Sequence, residues 1–175
     1  MPTSPQRQQQ RGRRRPRSRY AQQLHEKQTL KGIYGVRERQ LRIYYVAARQ
    51  SSEETGPSLI SLLERRLDNA VFRAGIAETR AQARQMVSHG MFEVNSRPVD
   101  VPSIQVREGD IVKIKEGKRK KGLFENFEKR MQGAQLPDWI RLDVSGYGFN
   151  VTGTPSTEEA AVGVDIRSVV ELFAR

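Results

Sequence analysis

Arginine side chains recur in a short stretch where the sequence predicts a helix followed by a tight hairpin. The stretch TRAQARQMVSHGMFEVNSRPVD (79–100) places Arg80 and Arg84 beside an apolar stripe that includes Ala83 and Met86. Residues spaced in this way share a helix face. A guanidinium group is a planar fork that can bind two phosphate oxygens at once. The pattern therefore indicates a fixed platform for binding phosphate groups.

Local signals predict where this helix and the hairpin begin and end. Thr79 and Gln82 form a capping-box pattern, and Gly90 suits the left-handed position that ends a helix. Asn95-Ser96 predicts a two-residue turn, in which the serine tolerates a positive φ less well than the asparagine. A helix this short is marginally stable alone, so we expect packing to hold its arginines in place.

Residue types that support catalysis or metal binding are scarce. The chain has no cysteine and two histidines, His25 and His89, in separate predicted elements. This excludes disulfides, thiolate chemistry and thiolate-ligated zinc, and no phosphate-binding glycine loop or nucleophile elbow is present. We interpret both histidines as structural, although His89 is also placed to touch phosphate. Asp68 is interpreted as the ion-pair partner of Arg65. We expect no enzyme, no cofactor and no metal.

Positive charge is concentrated in two parts of the 175-residue chain. Residues 1–50 contain 13 Lys and Arg against 2 acidic residues, and residues 65–130 contain 15 against 9. Such clustering favours an acidic partner, above all nucleic acid. The alternative, a solvated basic face, explains residues 65–130 better than it explains the first fifty. No apolar run is long enough to span a membrane or to form a secretory signal.

The N-terminal residues 1–19 are predicted to be a disordered basic arm. They contain seven arginines and few apolar residues, so they cannot bury a core. We expect this arm to capture RNA with little choice of site. An organelle transit peptide is the disfavoured alternative, because the arm is dense in arginine.

Helical patterns dominate the sequence between the arm and the platform helix. The predicted helices cover residues 20–32, 36–50 and 58–75. The third begins near Pro57, and on it Arg66, Asn69 and Arg73 form a polar stripe beside the apolar one. Together with the platform helix and the hairpin, this stripe is expected to form one continuous basic surface.

The rest of the chain alternates strand and helix signals. A second strand pair is predicted over 104–115, a helix over 122–132, an extended segment over 136–143 and a loop over 144–162. The whole pattern predicts an α+β fold. In it, a helical N-terminal lobe precedes a small module of two helices packed on an antiparallel sheet.

The segment Leu62–Lys115 resembles a known RNA-binding module. It is similar to the alpha-L-type motif first recognised in small-subunit ribosomal protein four. EKQTLKGIYGVRERQ (26–40), LPDWIRLD (136–143) and the closing VVELFAR resemble further segments of that bacterial-type family. Because the chain has no cysteine, it resembles a short form without the zinc-binding cysteines. It also departs from the family at the turn, with Ser96 in place of glycine, and at Asp165-Ile166 in place of Asn-Glu.

The resemblance implies a structural constituent of the small ribosomal subunit with four parts. These are the arm (1–19), the helical lobe (20–64), the RNA-binding module (65–130) and a C-terminal segment (131–175) that packs back on both. The family implies a cytoplasmic, ribosome-bound assembly protein that clamps a multi-helix junction in the 5′ domain of small-subunit ribosomal RNA. Implied partners are small-subunit ribosomal proteins three and five, and messenger RNA near the entry channel. Contact with protein five would influence decoding accuracy.

The expected RNA-binding residues are cationic and polar side chains from the arm, the helical lobe and the module. Tyr34 and Gly35 are expected in a turn near the RNA backbone, although Tyr34 fits a core position equally well. The full set is Arg13, Arg14, Arg15, Arg17, Arg19, Lys27, Lys31, Tyr34, Gly35, Arg37, Arg39, Arg42, Arg66, Asn69, Arg73, Thr79, Arg80, Arg84, His89, Arg97 and Lys115.

Other classes of protein remain open at this point. A free-standing RNA chaperone or stalled-ribosome binder uses the same module, but the resemblance at 26–40 and 136–175 argues against it. The triplet Arg66-Leu67-Asp68 also marks certain pseudouridine synthases, which need a further catalytic domain. A DNA-binding protein is less favoured, because nothing resembles a recognition helix with paired half-sites.

Overall fold

Helices and strands alternate along the part of the chain that the computed structural model describes, residues 18–120, 122–124, 127–160 and 162–175. The α-helices there are α1 (Arg19–Tyr34), α2 (Glu38–Gln50), α3 (Thr55–Glu64), α4 (Leu67–Arg73), α5 (Arg80–Ser88), α6 (Glu116–Arg119), α7 (Phe127–Met131), α8 (Thr157–Ala160) and α9 (Ile166–Phe173), with a 3₁₀ turn at Gly122–Phe124. The strands are β1 (Phe92–Val94), β2 (Arg97–Val99), β3 (Ile111–Ile114), β4 (Ile140–Asp143) and β5 (Gly148–Val151).

The helical lobe has its own apolar core. Leu30, Leu41, Leu59 and Leu63 are fully buried between α1, α2 and α3, and Val169 of α9 joins them. Each such leucine contributes about 1.5–3 kcal/mol by leaving water. The closing helix α9 therefore completes this lobe from the far end of the chain.

A second core lies between α4, α5 and one antiparallel sheet. The strand order is β2-β1-β3-β5-β4. Val71 and Val87 of the two helices pack in the same cluster as Phe92, Val112 and Phe149 of the sheet, and all five are fully buried. A helical lobe followed by two helices on an antiparallel sheet confirms the predicted α+β fold class.

The long helix predicted over 58–75 is instead two helices, α3 and α4. Between them Arg66 is extended and forms an isolated β-bridge with Gln105. The backbone N–H of Val106 donates to Arg65 O at 2.8 Å, and that of Leu67 donates to a carbonyl of the same facing segment. The facing segment 104–106 thus provides hydrogen-bond partners for backbone groups that would be bonded within the helix if it were continuous.

Two predictions about the later chain are also wrong. Of the strand pair predicted over 104–115, only Ile111–Ile114 forms a strand, and the loop predicted over 144–162 contains β5 and α8. Strand β5 pairs with both β3 and β4. The C-terminal segment therefore extends the sheet of the module as well as completing the helical lobe. No helix within the described ranges is long and apolar enough to cross a membrane.

Candidate nucleic-acid interface

The platform helix α5 begins at its predicted cap. Thr79 Oγ1 accepts a hydrogen bond from Gln82 N at 3.1 Å. The return bond is shifted by one residue, because Gln82 Oε1 accepts from Glu78 N at 2.8 Å. Two amide N–H groups at the helix start are satisfied in this way. The register of the arginines on α5 follows from this cap.

The hairpin that follows has the predicted two-residue turn. Asn95 and Ser96 both have positive φ, 49° and 64°, as a type I′ turn requires. Asn95 also links the turn to the next strand, because its Oδ1 accepts from Ile111 N at 2.9 Å and its Nδ2 donates to Asp110 Oδ1 at 2.8 Å. The turn leaves Arg97 exposed at the start of the edge strand β2.

Two buried carboxylates organise the arginines where the helical lobe meets the module. Glu64 is 1% exposed. It accepts from Tyr34 Oη at 2.5 Å, from Asn69 Nδ2 at 2.9 Å, and from Arg73 Nε and Nη2 at 2.8 and 2.9 Å. Arg80 Nη2 lies 3.8 Å from the same carboxylate. One acid thus receives polar contacts from three elements.

Asp68 forms the second centre and is 3% exposed. Its carboxylate accepts from Arg66 Nε and Nη2 at 3.0 and 2.8 Å, and from Arg84 Nε at 2.9 Å. The predicted pair with Arg65 is wrong, because Arg65 Nε donates to Val106 O at 2.9 Å. We call the residues around both acids the junction cluster: Tyr34, Tyr44, Glu64, Arg66, Asp68, Asn69, Arg73, Arg80 and Arg84.

Burial changes the acid–base properties of the junction cluster. Burial lowers the pKa of Arg66, but the hydrogen bonds and charge of Asp68 raise it by a larger amount. The pKa of Arg66 is therefore raised overall. For Arg80, burial outweighs the opposing charge of Glu64 and the pKa is lowered. Burial, followed by the charge and hydrogen bond of Glu64, raises the pKa of Tyr34. Arg66, Arg73 and Arg80 remain cationic near neutral pH.

The predicted continuous basic surface requires correction. Arg66 and Asn69 are 4% and 2% exposed, and Tyr34 is 1% exposed. Tyr34 therefore occupies the core position that the sequence also allowed. These side chains contact protein groups in the junction cluster, because two unpartnered carboxylates in the interior would be costly. The first two residues of the predicted polar stripe, Arg66 and Asn69, therefore lie in the interior.

The remaining expected residues differ in exposure. Arg73, Arg80 and Arg84 are half-buried, as are Lys27, Lys31 and Lys115. Arg13, Arg14, Arg15 and Arg17 lie outside the described residues. The exposed members are Arg19, Gly35, Arg37, Arg39, Arg42, Thr79, His89 and Arg97.

Arg80 combines a fixed position with unused donors. Its Nε donates to Asn69 Oδ1 at 2.7 Å, and its guanidinium carbon lies 4.5 Å from the Phe72 ring centroid and 5.1 Å from that of Tyr34. Among the described residues, no protein acceptor hydrogen-bonds its two terminal nitrogens. With 22% of its side chain exposed, Arg80 is partly accessible to solvent and is held against two aromatic rings.

Lys27 and Lys31 bind an acid of their own lobe. Their Nζ atoms lie 2.8 and 3.0 Å from the two carboxylate oxygens of Glu38, at the start of α2. Lys27 also sits 5.5 Å from the centroid of the Phe173 ring. These lysines fasten α1 to α2 and to the closing helix.

The Glu38 bridge predicts a small acid-dependent loss of stability. The hydrogen bond from Lys27 lowers the pKa of Glu38, with Lys31 adding to the effect. A lowered folded-state pKa gives stability that is present above the unfolded value of about 4.3 and is lost as pH falls through the folded value. Because Glu38 is 44% exposed, we expect Glu38→Gln to cost less than about 1 kcal/mol near neutral pH.

Urea unfolding of both proteins at several pH values checks this prediction. The difference in unfolding free energy between the wild type and Glu38→Gln should shrink as pH falls below about 4. The exposed Glu53 has no side-chain ion pair among the described residues, so Glu53→Gln is the control. A difference that stays constant with pH would show that the bridge does not stabilise the fold.

Sequence reasoning missed the acids of the junction cluster as organising groups. Glu64 follows Leu63 and precedes Leu67 on a face that is otherwise apolar. An acid on an apolar face is rarely buried without a cationic partner. This was the signal in the sequence from which the neighbouring arginines could have been identified as its partners. Tyr44 carried no comparable signal, because its hydroxyl meets Arg66 Nη1, at 2.8 Å, only in the folded protein.

Comparison with known proteins gives matches along nearly the whole chain. Residues 3–64 match the ribosomal protein S4/S9 N-terminal domain, and residues 65–112 match the S4 domain. The small ribosomal subunit protein uS4 of Herpetosiphon aurantiacus is 44% identical over 165 residues, covering 93% of this chain and 78% of the relative. Those of Persephonella marina and Corynebacterium ammoniagenes are 43% and 44% identical, covering 93% and 90% of this chain and 80% and 79% of the relatives.

Proposed function

The chain belongs to the ribosomal protein S4 family, and from this premise we propose that its two lobes clamp a multi-helix junction in the 5′ domain of small-subunit ribosomal RNA. As a member of this family it is a structural, non-enzymatic ribosomal protein that carries an S4 RNA-binding domain. Its relatives are named as proteins of the small ribosomal subunit, which places its role in translation.

The observation that carries the clamp proposal is a pair of cationic regions joined by the junction cluster. The helical lobe exposes Arg37, Arg39 and Arg42 at the start of α2. The module contributes Arg97 and the unused donors of Arg80. A surface ordered before binding avoids the entropy cost of ordering it on contact. Fixed spacings between cations suit the phosphate pattern of a folded RNA.

We propose that the RNA-contacting residues are those whose cationic or polar groups reach the surface. In this assignment, phosphate contacts give affinity, and the fixed angle between the lobes gives preference for a junction. Arginines of the arm add affinity that depends strongly on salt. The assigned residues of the described part are Arg19, Arg37, Arg39, Arg42, Thr79, Arg80, His89, Arg97 and Lys115.

We further propose the family's assembly role and neighbours for this chain. In this proposal it binds ribosomal RNA early in assembly, contacts small-subunit ribosomal proteins three and five, and lies near messenger RNA at the entry channel. The contact with protein five would connect it to decoding accuracy, and the ribosome-bound protein would be cytoplasmic. Family membership supports these proposals.

The clamp is tested with Arg37→Gln/Arg39→Gln/Arg42→Gln. Binding is measured at several salt concentrations to the 5′-domain junction and to a duplex RNA of equal length. Wild type should prefer the junction as salt rises. If the three arginines contact phosphates, the variant should bind the junction at least about tenfold more weakly. Its plot of log affinity against log salt should be less steep by about two to three units.

A charge-matched control separates position from net charge. Lys129, Arg141 and Arg167 are exposed on other elements, and replacing all three by Gln removes the same charge. The clamp predicts a smaller loss of junction binding for this control. Equal losses, or a wild type that binds junction and duplex alike, would contradict the proposal and leave only charge attraction.

A further inference from the structure

Three arginines of the junction cluster, Arg66, Arg73 and Arg84, donate hydrogen bonds to other parts of this protein. Arg84 Nη1 donates to Gly35 O at 2.5 Å, and its Nη2 donates to Tyr34 O at 2.7 Å. Because its Nε is bound to Asp68, most of the five N–H groups of Arg84 are already occupied. Arg84 therefore has little donor capacity left for a ligand.

The same three arginines connect different parts of the fold. Arg84 lies on α5 and reaches the last residues of α1. Arg66, between α3 and α4, donates to the Tyr44 hydroxyl of α2. Arg73 of α4 donates to Ala160 O of α8 at 2.8 Å. Each of them thus crosses from the module to the helical lobe or to the C-terminal segment.

The chain itself gives the two lobes a short and extended connection. Helix α3 ends at Glu64, α4 begins at Leu67, and Arg66 between them has an extended backbone conformation. A change in the backbone φ and ψ angles at this two-residue connection would change the relative angle of the lobes. The carboxylates of Glu64 and Asp68 lie on either side of this connection, and the arginines bound to them span it.

We propose that Arg66, Arg73 and Arg84 are positioning residues that fix the angle between the helical lobe and the module, while Arg80 is the cation of the junction cluster that contacts RNA. This assignment deepens the clamp proposed above and rests on it for its RNA readout. It divides a set of arginines that looks uniform in the sequence into two roles. The division follows from which donors are already bound to protein acceptors.

The charge of the junction cluster supports this division. Four arginines surround two carboxylates, which leaves an excess of positive charge in a half-buried region. Arg80 has the poorest compensation, since its closest carboxylate contact is 3.8 Å, and its lowered pKa has burial as its main cause. A phosphate next to Arg80 would compensate the excess without displacing a protein contact.

Gly35 allows the positioning role to be tested without a change of charge. Its φ is +59°, and a Cβ there would lie 2.8 Å from Arg84 Nη1. Alanine would therefore be strained in its backbone and would also displace the guanidinium group. Gly32, one turn earlier on α1, has no atom within 4 Å of its ideal Cβ, so Gly32→Ala is the matched control.

The lobe angle is measured directly with a pair of spin labels. Because the chain has no cysteine, Ala47→Cys on α2 and Gln85→Cys on α5 give two unique labelling sites, and both residues are exposed. Pulsed dipolar spectroscopy on the full chain should give one narrow distance distribution for the wild type and for Gly32→Ala. Gly35→Ala and Arg84→Met should broaden or shift it.

The RNA readout uses the same junction and duplex probes at several salt concentrations. We expect Gly35→Ala and Arg84→Met to lower the preference for the junction by about tenfold, the equivalent of about 1.4 kcal/mol. Their salt dependence on duplex RNA should not change, because neither substitution removes a phosphate contact. Arg80→Met should instead reduce the slope of log affinity against log salt by about one unit on both RNAs.

The outcomes separate this inference from the clamp itself. If Arg84→Met keeps the narrow distance distribution but reduces the salt slope on duplex RNA, then Arg84 contacts phosphate and its positioning role is wrong. If Gly35→Ala leaves both the distribution and the junction preference unchanged, the inference also fails. If the wild type shows no junction preference, the clamp fails, and the distance distributions alone decide whether these residues fix the lobe angle.

Discussion

Glu64→Ala is expected to destabilise the protein by roughly 3–5 kcal/mol, the cost typical of removing one partner from a buried ion pair. The substitution leaves the half-buried Arg73 without its carboxylate and the buried hydroxyl of Tyr34 without its acceptor. Asn69 loses one of its two acceptors. Since a domain of this size is stable by only about 5–15 kcal/mol, this loss is a large fraction of the total.

Urea unfolding followed by the single tryptophan measures this loss. Trp139 is 2% exposed, so its fluorescence should change when the core opens. Glu78→Ala is the control, because Glu78 is an exposed acid two residues before Arg80. It should change stability by no more than about 0.5 kcal/mol. A Glu64→Ala protein within about 1 kcal/mol of the wild type would show that the junction cluster does not hold the lobes together.

Glu64→Gln distinguishes the charge of this residue from its hydrogen bonds. The amide keeps an oxygen that can accept from Arg73 or Tyr34, but it cannot compensate the positive charge of the junction cluster. Glu64→Gln should therefore be less stable than the wild type but more stable than Glu64→Ala. The difference between the two variants measures how much a neutral acceptor can replace in this half-buried set of arginines.

Features that depend on nearby residues could be predicted from the sequence. The cap at Thr79, the helix end at Gly90 and the turn at Asn95-Ser96 all use backbone groups within a few residues. The apolar stripes of α3, α4 and α5 are buried as their spacing predicted. A helical lobe ahead of a two-helix module on an antiparallel sheet follows from these local patterns and from the family resemblance.

The direction of the polar stripe could not be predicted in the same way. Arg66 and Asn69 have the spacing of a solvent-facing stripe, but the helix breaks where Arg66 meets Gln105 from a distant part of the chain. The break turns Arg66 into the interior. Helical periodicity assumes a continuous helix, so the long-range contact at the break buries polar positions that the spacing placed at the surface, although the apolar stripe beyond the break stays buried.

Strand β5 was missed for a related reason. The sequence SGYGFN (145–150) has the glycine content typical of a loop. Tyr147 does have a positive φ of 56°, but its carbonyl accepts from Ile114 N at 2.9 Å and starts the pairing with β3. Gly148, one of the two glycines that suggest a loop, is instead required because strands β3 and β5 lie very close together there.

Gly148→Ala is expected to destabilise the sheet by at least about 3 kcal/mol, at the upper end of what overpacking usually costs. A Cβ at Gly148 would lie 2.1 Å from the carbonyl oxygen of Val112 and 2.9 Å from Cα of Lys113. Both are backbone atoms of β3, so no side-chain rotation can relieve the clash. Strands β3 and β5 must separate, and with them the module and the C-terminal segment.

Urea unfolding and amide hydrogen exchange test this prediction, with Gly133→Ala as the control because its ideal Cβ has no atom within 4 Å. Exchange should accelerate in β3, β4 and β5 of Gly148→Ala, while α1, α2 and α3 keep their protection, because the helical lobe has a separate core. Wild-type protection across β3 and β5 would contradict the pairing described here. Equal loss of protection in the helices would instead show that the two cores unfold as one unit, and that the junction cluster couples them more tightly than either core alone requires.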